Sequence, residues 1–307
     1  MSRPTRSKEG FKRYMEMSAT RVFVLVEGRA PDRFFYGEVC RYVLKGRSIP
    51  YEVVPAERFA DSGGKAVLFD LFKFLASAGS LSIRRRPTTA CCIFFLDKDV
   101  DDILGGLVRS PHVVYTPFYC IENTIFIHGE LVKAAAAASA LDLGRVEAGI
   151  PDAAAWREQR AEAWKDFVVF CLFVHKCNLH CDCNYGRHTS ELNGPADGLT
   201  SPEQVAAKEN ELRRHSGLAP AQFNRKLAAI RRLVNRLYGK GQHDLIFNGK
   251  WYQTLLQREI ELIAGSDPYS KPGVASGLVP ALQMNLIFDQ PWALHFLEPL
   301  RSLVESL

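Results

Sequence analysis

Short apolar runs and helical spacings alternate along the first 125 residues of the chain. Val22–Val26 (VFVLV) is short, apolar and rich in β-branched residues, which predicts a strand buried on both faces. It stops at Glu27-Gly28. Pro31-Asp32 then marks a helix start, and Phe35, Val39, Tyr42 and Val43 recur at helical spacing over residues 33–44. Tyr51–Val54 predicts a second strand. Ser62-Gly63-Gly64-Lys65 introduces an apolar helix running to Leu75. Cys91–Leu96 predicts a third buried strand, ended by Asp97-Lys98-Asp99-Val100-Asp101-Asp102. His112–Tyr115 predicts a fourth, followed by Tyr119-Cys120-Ile121-Glu122-Asn123. Strands alternating with helices in this way predict an α/β fold with a mostly parallel sheet and right-handed crossovers.

The pattern changes near residue 125, and helix follows helix from there. Ala134–Ala140 is a strong helix former. Helical periodicity continues over 153–176, 202–214, 220–238 and 250–264, and terminal helical segments close the chain. Residues 184–202 and 265–277 are rich in turn formers and read as loops. The first 20 residues read as a loose arm or a short helix. The expected organisation is an α/β domain over 18–130 and a C-terminal helical domain over 131–307.

Composition narrows the class only slightly. The 307 residues are 47% hydrophobic and 24% charged, an ordinary globular balance with ample material for a core. The net charge of +5 permits a nucleic-acid partner without requiring one, so local clustering matters more. The longest unbroken apolar run, Phe167–Val174, is too short for a bilayer, which needs roughly 18 residues. The polar, basic N-terminus has no signal-peptide core. Eight cysteines, two of them adjacent in the predicted strand at Cys91-Cys92, suggest a reducing compartment. The expectation is a cytoplasmic protein.

The carboxylates carry the chemistry. Ligands of an open parallel sheet sit outside the carboxyl ends of its strands. Glu27 ends the first predicted strand, Asp97 and Asp99 end the third, and Glu122 follows the fourth. Asp97 and Asp99 point the same way if the chain stays extended. Asp32 reaches the same edge from the first helix. Strand-ending acids are often no more than solvated loop residues. Grouped carboxylates repel one another, however, and a hard divalent cation relieves that repulsion. Magnesium, or manganese in its place, keeps waters and leaves room for a substrate phosphate, so the pattern points to phosphodiester chemistry.

Val26-Glu27-Gly28 after an apolar strand, followed later by Leu96-Asp97-Lys98-Asp99, resembles the toprim signature. Toprim domains are Rossmann-like folds found in topoisomerases, primases and the overcoming-lysogenization-defect (OLD) nucleases. Further segments narrow the resemblance: Glu27-Gly28 with Asp32 and Phe35-Tyr36, then Gly63-Gly64-Lys65, Tyr119 with Ile121-Glu122-Asn123, and Asn248-Gly249-Lys250. Together they look similar to the toprim effectors of the PARIS anti-phage defence system. Such an effector is paired with a separate ABC-type ATPase and cuts host tRNA once released. The resemblance implies that Glu27, Asp97 and Asp99 bind magnesium, with Glu27 acting as or positioning the acid/base group. Asp32 and Glu122 would be supporting ligands. Toprim nucleases often pair, which makes a homodimer an expectation. Two other readings stay open. One is an OLD-type DNA nuclease using the same carboxylates. The other is a catalytically silent module that binds a partner ATPase.

Other features bear on substrate. Lys65 follows two glycines at a helix start, where free N–H groups attract anions, although a flexible turn explains the glycines equally. No Walker A loop is present. Residues 221–238 combine Arg225, Lys226, Arg231, Arg232 and Arg236 with an apolar stripe and no acidic residue. That is either a solvated face or a surface for phosphate backbone or an acidic partner. Lys250 is a further phosphate-binding candidate. His175, Cys177, His180, Cys181 and Cys183 are soft ligands, but their spacing matches no standard zinc site, and packing is the better reading. Trp156, Trp164, Trp251 and Trp292 read as core anchors.

Overall fold

A computed structural model describes residues 6–28, 30–61, 63–85, 88–186, 201–265, 274–305 and 307. Most of the two expected loops, residues 187–200 and 266–273, lies outside the described residues. By internal contacts the chain divides into two compact units. The first comprises residues 1–98, 107–117 and 286–307, and the second residues 99–106 and 118–285. Both units are discontinuous in sequence, unlike a division in chain order at residue 130.

The first unit is α/β. Its strands are β1 (Val22–Val26), β2 (Tyr51–Pro55), β3 (Ser82–Arg85), β4 (Thr88–Leu96) and β5 (Val113–Tyr115). The sheet order is β2-β1-β4-β3, and β5 also pairs with β4. β1 runs parallel to β2 and β4, and β4 runs parallel to β5; only β3 is antiparallel. The sheet is therefore mixed and mostly parallel. β3 escapes sequence reading because SIRR has neither an apolar run nor an apolar alternation.

Side chains of a strand alternate between faces. Phe23, Leu25, Cys92 and Phe94 join Phe11 and Met15 of the helix Lys8–Met17, with Leu68, Leu71 and Leu75 of the helix Lys65–Ser77 in the same cluster. On the other face, Tyr36 of the helix Ala30–Val43 stacks on Phe95 with ring centroids 4.4 Å apart. Phe35 meets Phe296 of the C-terminal helix Leu294–Glu305 at 5.0 Å. Each such ring or leucine contributes about 1.5–3 kcal/mol through burial. Helices on both faces explain why β1 and the apolar end of β4 show no polar alternation.

The second unit is helical. The periodic stretch 153–176 forms two helices, Ala153–Ala163 and Lys165–Cys177, which meet at Trp164. Trp164 and Trp251 are fully buried and tilted together, and Trp156 is also buried. Trp292 packs on Phe288 and Phe35 in the first unit. All eight cysteines are free thiols. No helix among the described residues is long and apolar enough to cross a membrane.

His128 ends the helix Ile121–His128, where burial and then the nearby Arg157 charge lower its pKa to about 4 from 6.5. The folded state therefore resists a proton that the unfolded chain accepts. Stability from this residue is full above pH 6.5 and falls as the pH drops towards 4. The ring is only partly buried and solvent screens it, so the loss is about 1 kcal/mol rather than the whole shift. Urea midpoints at pH 7 and pH 5 should differ less in His128→Gln than in the parent. An equal difference in both proteins removes His128 from the account.

Candidate functional site

The strand order places the first part of the site. From β1 the chain crosses to β2 on one side, then returns to β4 on the other. β1 and β4 therefore flank a topological switch point, where open α/β sheets bind ligands beyond the strand ends. Val26 is in register with Phe95, so Glu27 lies opposite Leu96 and Asp97 one residue further on. The Asp97 N–H donates to Glu27 Oε1 at 2.8 Å, which fixes the Glu27 carboxylate against the end of β4.

Neighbouring bonds hold this edge. The Gly28 N–H donates to Asp32 Oδ2 at 2.7 Å, and Asp32 is buried. Asp32 thus sets the turn that follows Glu27, a role the sequence did not suggest. The Lys98 N–H donates to Thr116 Oγ1 at 2.9 Å, and Lys98 Nζ donates to the Pro117 carbonyl at 2.6 Å. Lys98 therefore ties the turn after β4 to the end of β5, and nothing in its spacing announced this. Lys65 begins its helix behind Gly63 and Gly64, both at positive φ.

Asp99 and Glu122 belong to the second unit. Extended-chain alternation does not carry from Asp97 to Asp99: β4 ends at Leu96, and Asp99 adopts a left-handed φ of 51°. Asparagine and aspartate tolerate that region best among non-glycine residues, at some cost in strain. The Asp99 N–H donates to the Tyr119 carbonyl at 2.7 Å. Asp99 lines a hollow of about 370 Å³ with Tyr119, Tyr185, Asn248 and Lys250. Lys250 Nζ stands 4.0 Å from Glu122 Oε1, and Glu122 sits buried in the first turn of its helix.

The two distant motifs of this unit meet through Asn123. Its Nδ2 donates to Asp244 Oδ1 at 2.8 Å and to the Phe247 carbonyl at 3.0 Å, while its Oδ1 accepts from the Gly249 N–H at 3.1 Å. Asp244, missed in the sequence, also accepts from the Tyr252 hydroxyl at 3.0 Å and pairs with Arg157 at 3.4 Å. It falls in a single 3-10 turn with no periodicity to mark it. Asn248 caps the following helix by accepting the Lys250 N–H at 3.0 Å. Lys250 is thereby fixed at a helix start beside Glu122.

In the basic helix, Pro220–Tyr238, Arg225, Lys226 and Arg232 are exposed, whereas Arg231 is half-buried and paired with Glu209 at 2.8 Å. Among the described residues, no three His, Cys, Asp or Glu side chains gather as a metal cage. Magnesium needs less, because one or two carboxylates, waters and a substrate phosphate complete its shell. Glu27 and Asp97 on adjoining strand ends fit that requirement. No protein-family model matches the chain, and no curated protein matches it.

Proposed function

We propose that this chain is a divalent-metal-dependent nuclease on a toprim-like sheet, hydrolysing phosphodiester bonds in RNA, with tRNA as favoured substrate. The observation that carries this reading is the position of Glu27 and Asp97 beyond the two strands that flank the switch point. In this reading Glu27 and Asp97 hold magnesium or manganese. When bound, the ion supplies charge neutralisation at the phosphate and a water of lowered pKa. Glu27, oriented by the Asp97 N–H, would be the residue that takes up or directs a proton from an attacking water. Asp32 and Lys98 keep the two strand ends in place. Choice of tRNA rests on the resemblance to PARIS effectors, as does a partner ATPase that restrains the enzyme.

Purified protein is mixed with total tRNA and plasmid DNA in competition, in magnesium or in EDTA, with and without the proposed ABC-type ATPase partner. The expected result is tRNA cleavage that EDTA abolishes and added magnesium restores. Plasmid cleavage instead makes the protein an OLD-type DNA nuclease. Cleavage of neither polymer in any combination defeats the enzymatic reading and favours a binding module.

A further inference from the structure

The helix Pro220–Tyr238 buries Phe223, Leu227, Ile230 and Val234 along one stripe. Its opposite side is cationic. At about 100° per residue, Arg225, Arg232 and Arg236 fall within about 20° of one line along the helix. Ala229 sits between the first two and does not obstruct the line. With a rise of about 1.5 Å per residue, the row extends about 16 Å. All three arginines are exposed, and among the described residues no carboxylate pairs with them. In the neighbouring helix Pro202–Ser216, Glu209 is taken by Arg231 at 2.8 Å and Arg213 at 3.4 Å. Lys226, Arg214 and Lys240 are exposed as well.

We propose that Arg225, Arg232 and Arg236 form a docking row for the phosphate backbone of RNA. This rests on the nuclease reading for the identity of the polymer. A strand of duplex DNA advances about 3.4 Å per nucleotide along its axis; on that scale the row spans about five nucleotides. Three guanidinium forks on one rigid helix suit a chain of evenly repeated anions, and each fork can engage a phosphate through two N–H groups. An acidic peptide offers no such fixed repeat. Arg231, although part of the same basic run, is spent on Glu209 and stands off the row.

The test is fluorescence anisotropy of labelled tRNA binding to the full chain in EDTA, across a salt series. The triple variant Arg225→Gln/Arg232→Gln/Arg236→Gln should bind roughly tenfold or more weakly at low salt. Its log–log salt dependence should be shallower by about 2–3, the counterions of three lost phosphate contacts. A control triple, Lys45→Gln/Arg47→Gln/Arg84→Gln, removes the same charge from exposed positions of the first unit. An unchanged slope in the row variant, or an equal loss in the control, overturns the proposal. So does normal tRNA binding by a row variant that has lost binding to polyglutamate, since that outcome assigns the row to an acidic protein. EDTA keeps docking apart from cleavage. A shallower slope in the row variant, alongside a parent that cuts no polymer with magnesium, upholds the row and defeats only the nuclease reading.

Discussion

Glu27→Gln should leave the protein folded and reduce metal-dependent cleavage by roughly a hundredfold to a thousandfold. The substitution keeps an oxygen able to accept the Asp97 N–H, so the 2.8 Å bond between the two strand ends can survive. It removes the negative charge. A metal-centred reaction draws several kcal/mol of transition-state stabilisation from the ion, and about 1.4 kcal/mol is a factor of ten in rate. In the proposed reaction, losing one of two strand-end carboxylates would weaken the hold on the ion and remove the group that directs the proton. Both effects act on the same step. Extra magnesium should therefore recover only part of the activity. The measurement is single-turnover cleavage of tRNA against magnesium concentration, with a thermal melt run in parallel. An unchanged melt with activity within threefold of the parent would rule out Glu27 as a catalytic residue. Asp97→Asn provides the matching case, because the Asp97 N–H belongs to the backbone and persists. Its loss should fall on metal affinity more than on the rate at saturating metal.

How far the sequence could be read depended on the scale of the interaction. β1 and the buried part of β4 declare themselves, because a strand covered on both faces has to be continuously apolar. The strand ends follow from that, and with them the positions of Glu27 and Asp97. What connects the strand ends is not written in periodicity. The sheet order that makes β1 and β4 neighbours is a long-range choice, and the Asp97 N–H bond to Glu27 depends on it. The same reasoning fails three residues beyond the strand. An extended chain would keep Asp99 in the alternation, but the left-handed turn at Asp99 ends it. β3 was illegible for the opposite reason: an edge strand needs no apolar signature. In the second unit, Asn123 and Gly249 stood out only as parts of motifs 126 residues apart. Their common role is a polar knot around Asp244, and buried knots of this kind obey hydrogen-bond satisfaction, which leaves no repeat in a sequence.

That knot sets the largest stability effect expected of a single methyl group. Gly249 is not at positive φ, so its glycine is not explained by backbone freedom. Its place is explained by proximity. A Cβ there would lie 2.4 Å from the Asn123 backbone nitrogen and 2.6 Å from Asn123 Oδ1. The nearer atom is main chain, in the first turn of the helix Ile121–His128, and cannot rotate away. Gly249→Ala must therefore push the helix Gly249–Ala264 off Asn123. The overpacking costs about 1–3 kcal/mol, and separation removes the Gly249 N–H bond at a further cost of about 1–3 kcal/mol for buried groups left unsatisfied. The expected loss is thus about 2–6 kcal/mol in urea unfolding. Asn123→Ala should also destabilise the fold, because the Phe247 carbonyl and Asp244 both lose the Nδ2 donor. The double variant distinguishes the mechanism. If the clash were with the Asn123 side chain, Asn123→Ala would relieve most of the Gly249→Ala cost. Because the nearest atom is the backbone nitrogen, most of that cost should remain, and the coupling should be smaller than either single effect. A Gly249→Ala loss under 1 kcal/mol would mean that the two helices are not held as closely as the Asn123 bonds require.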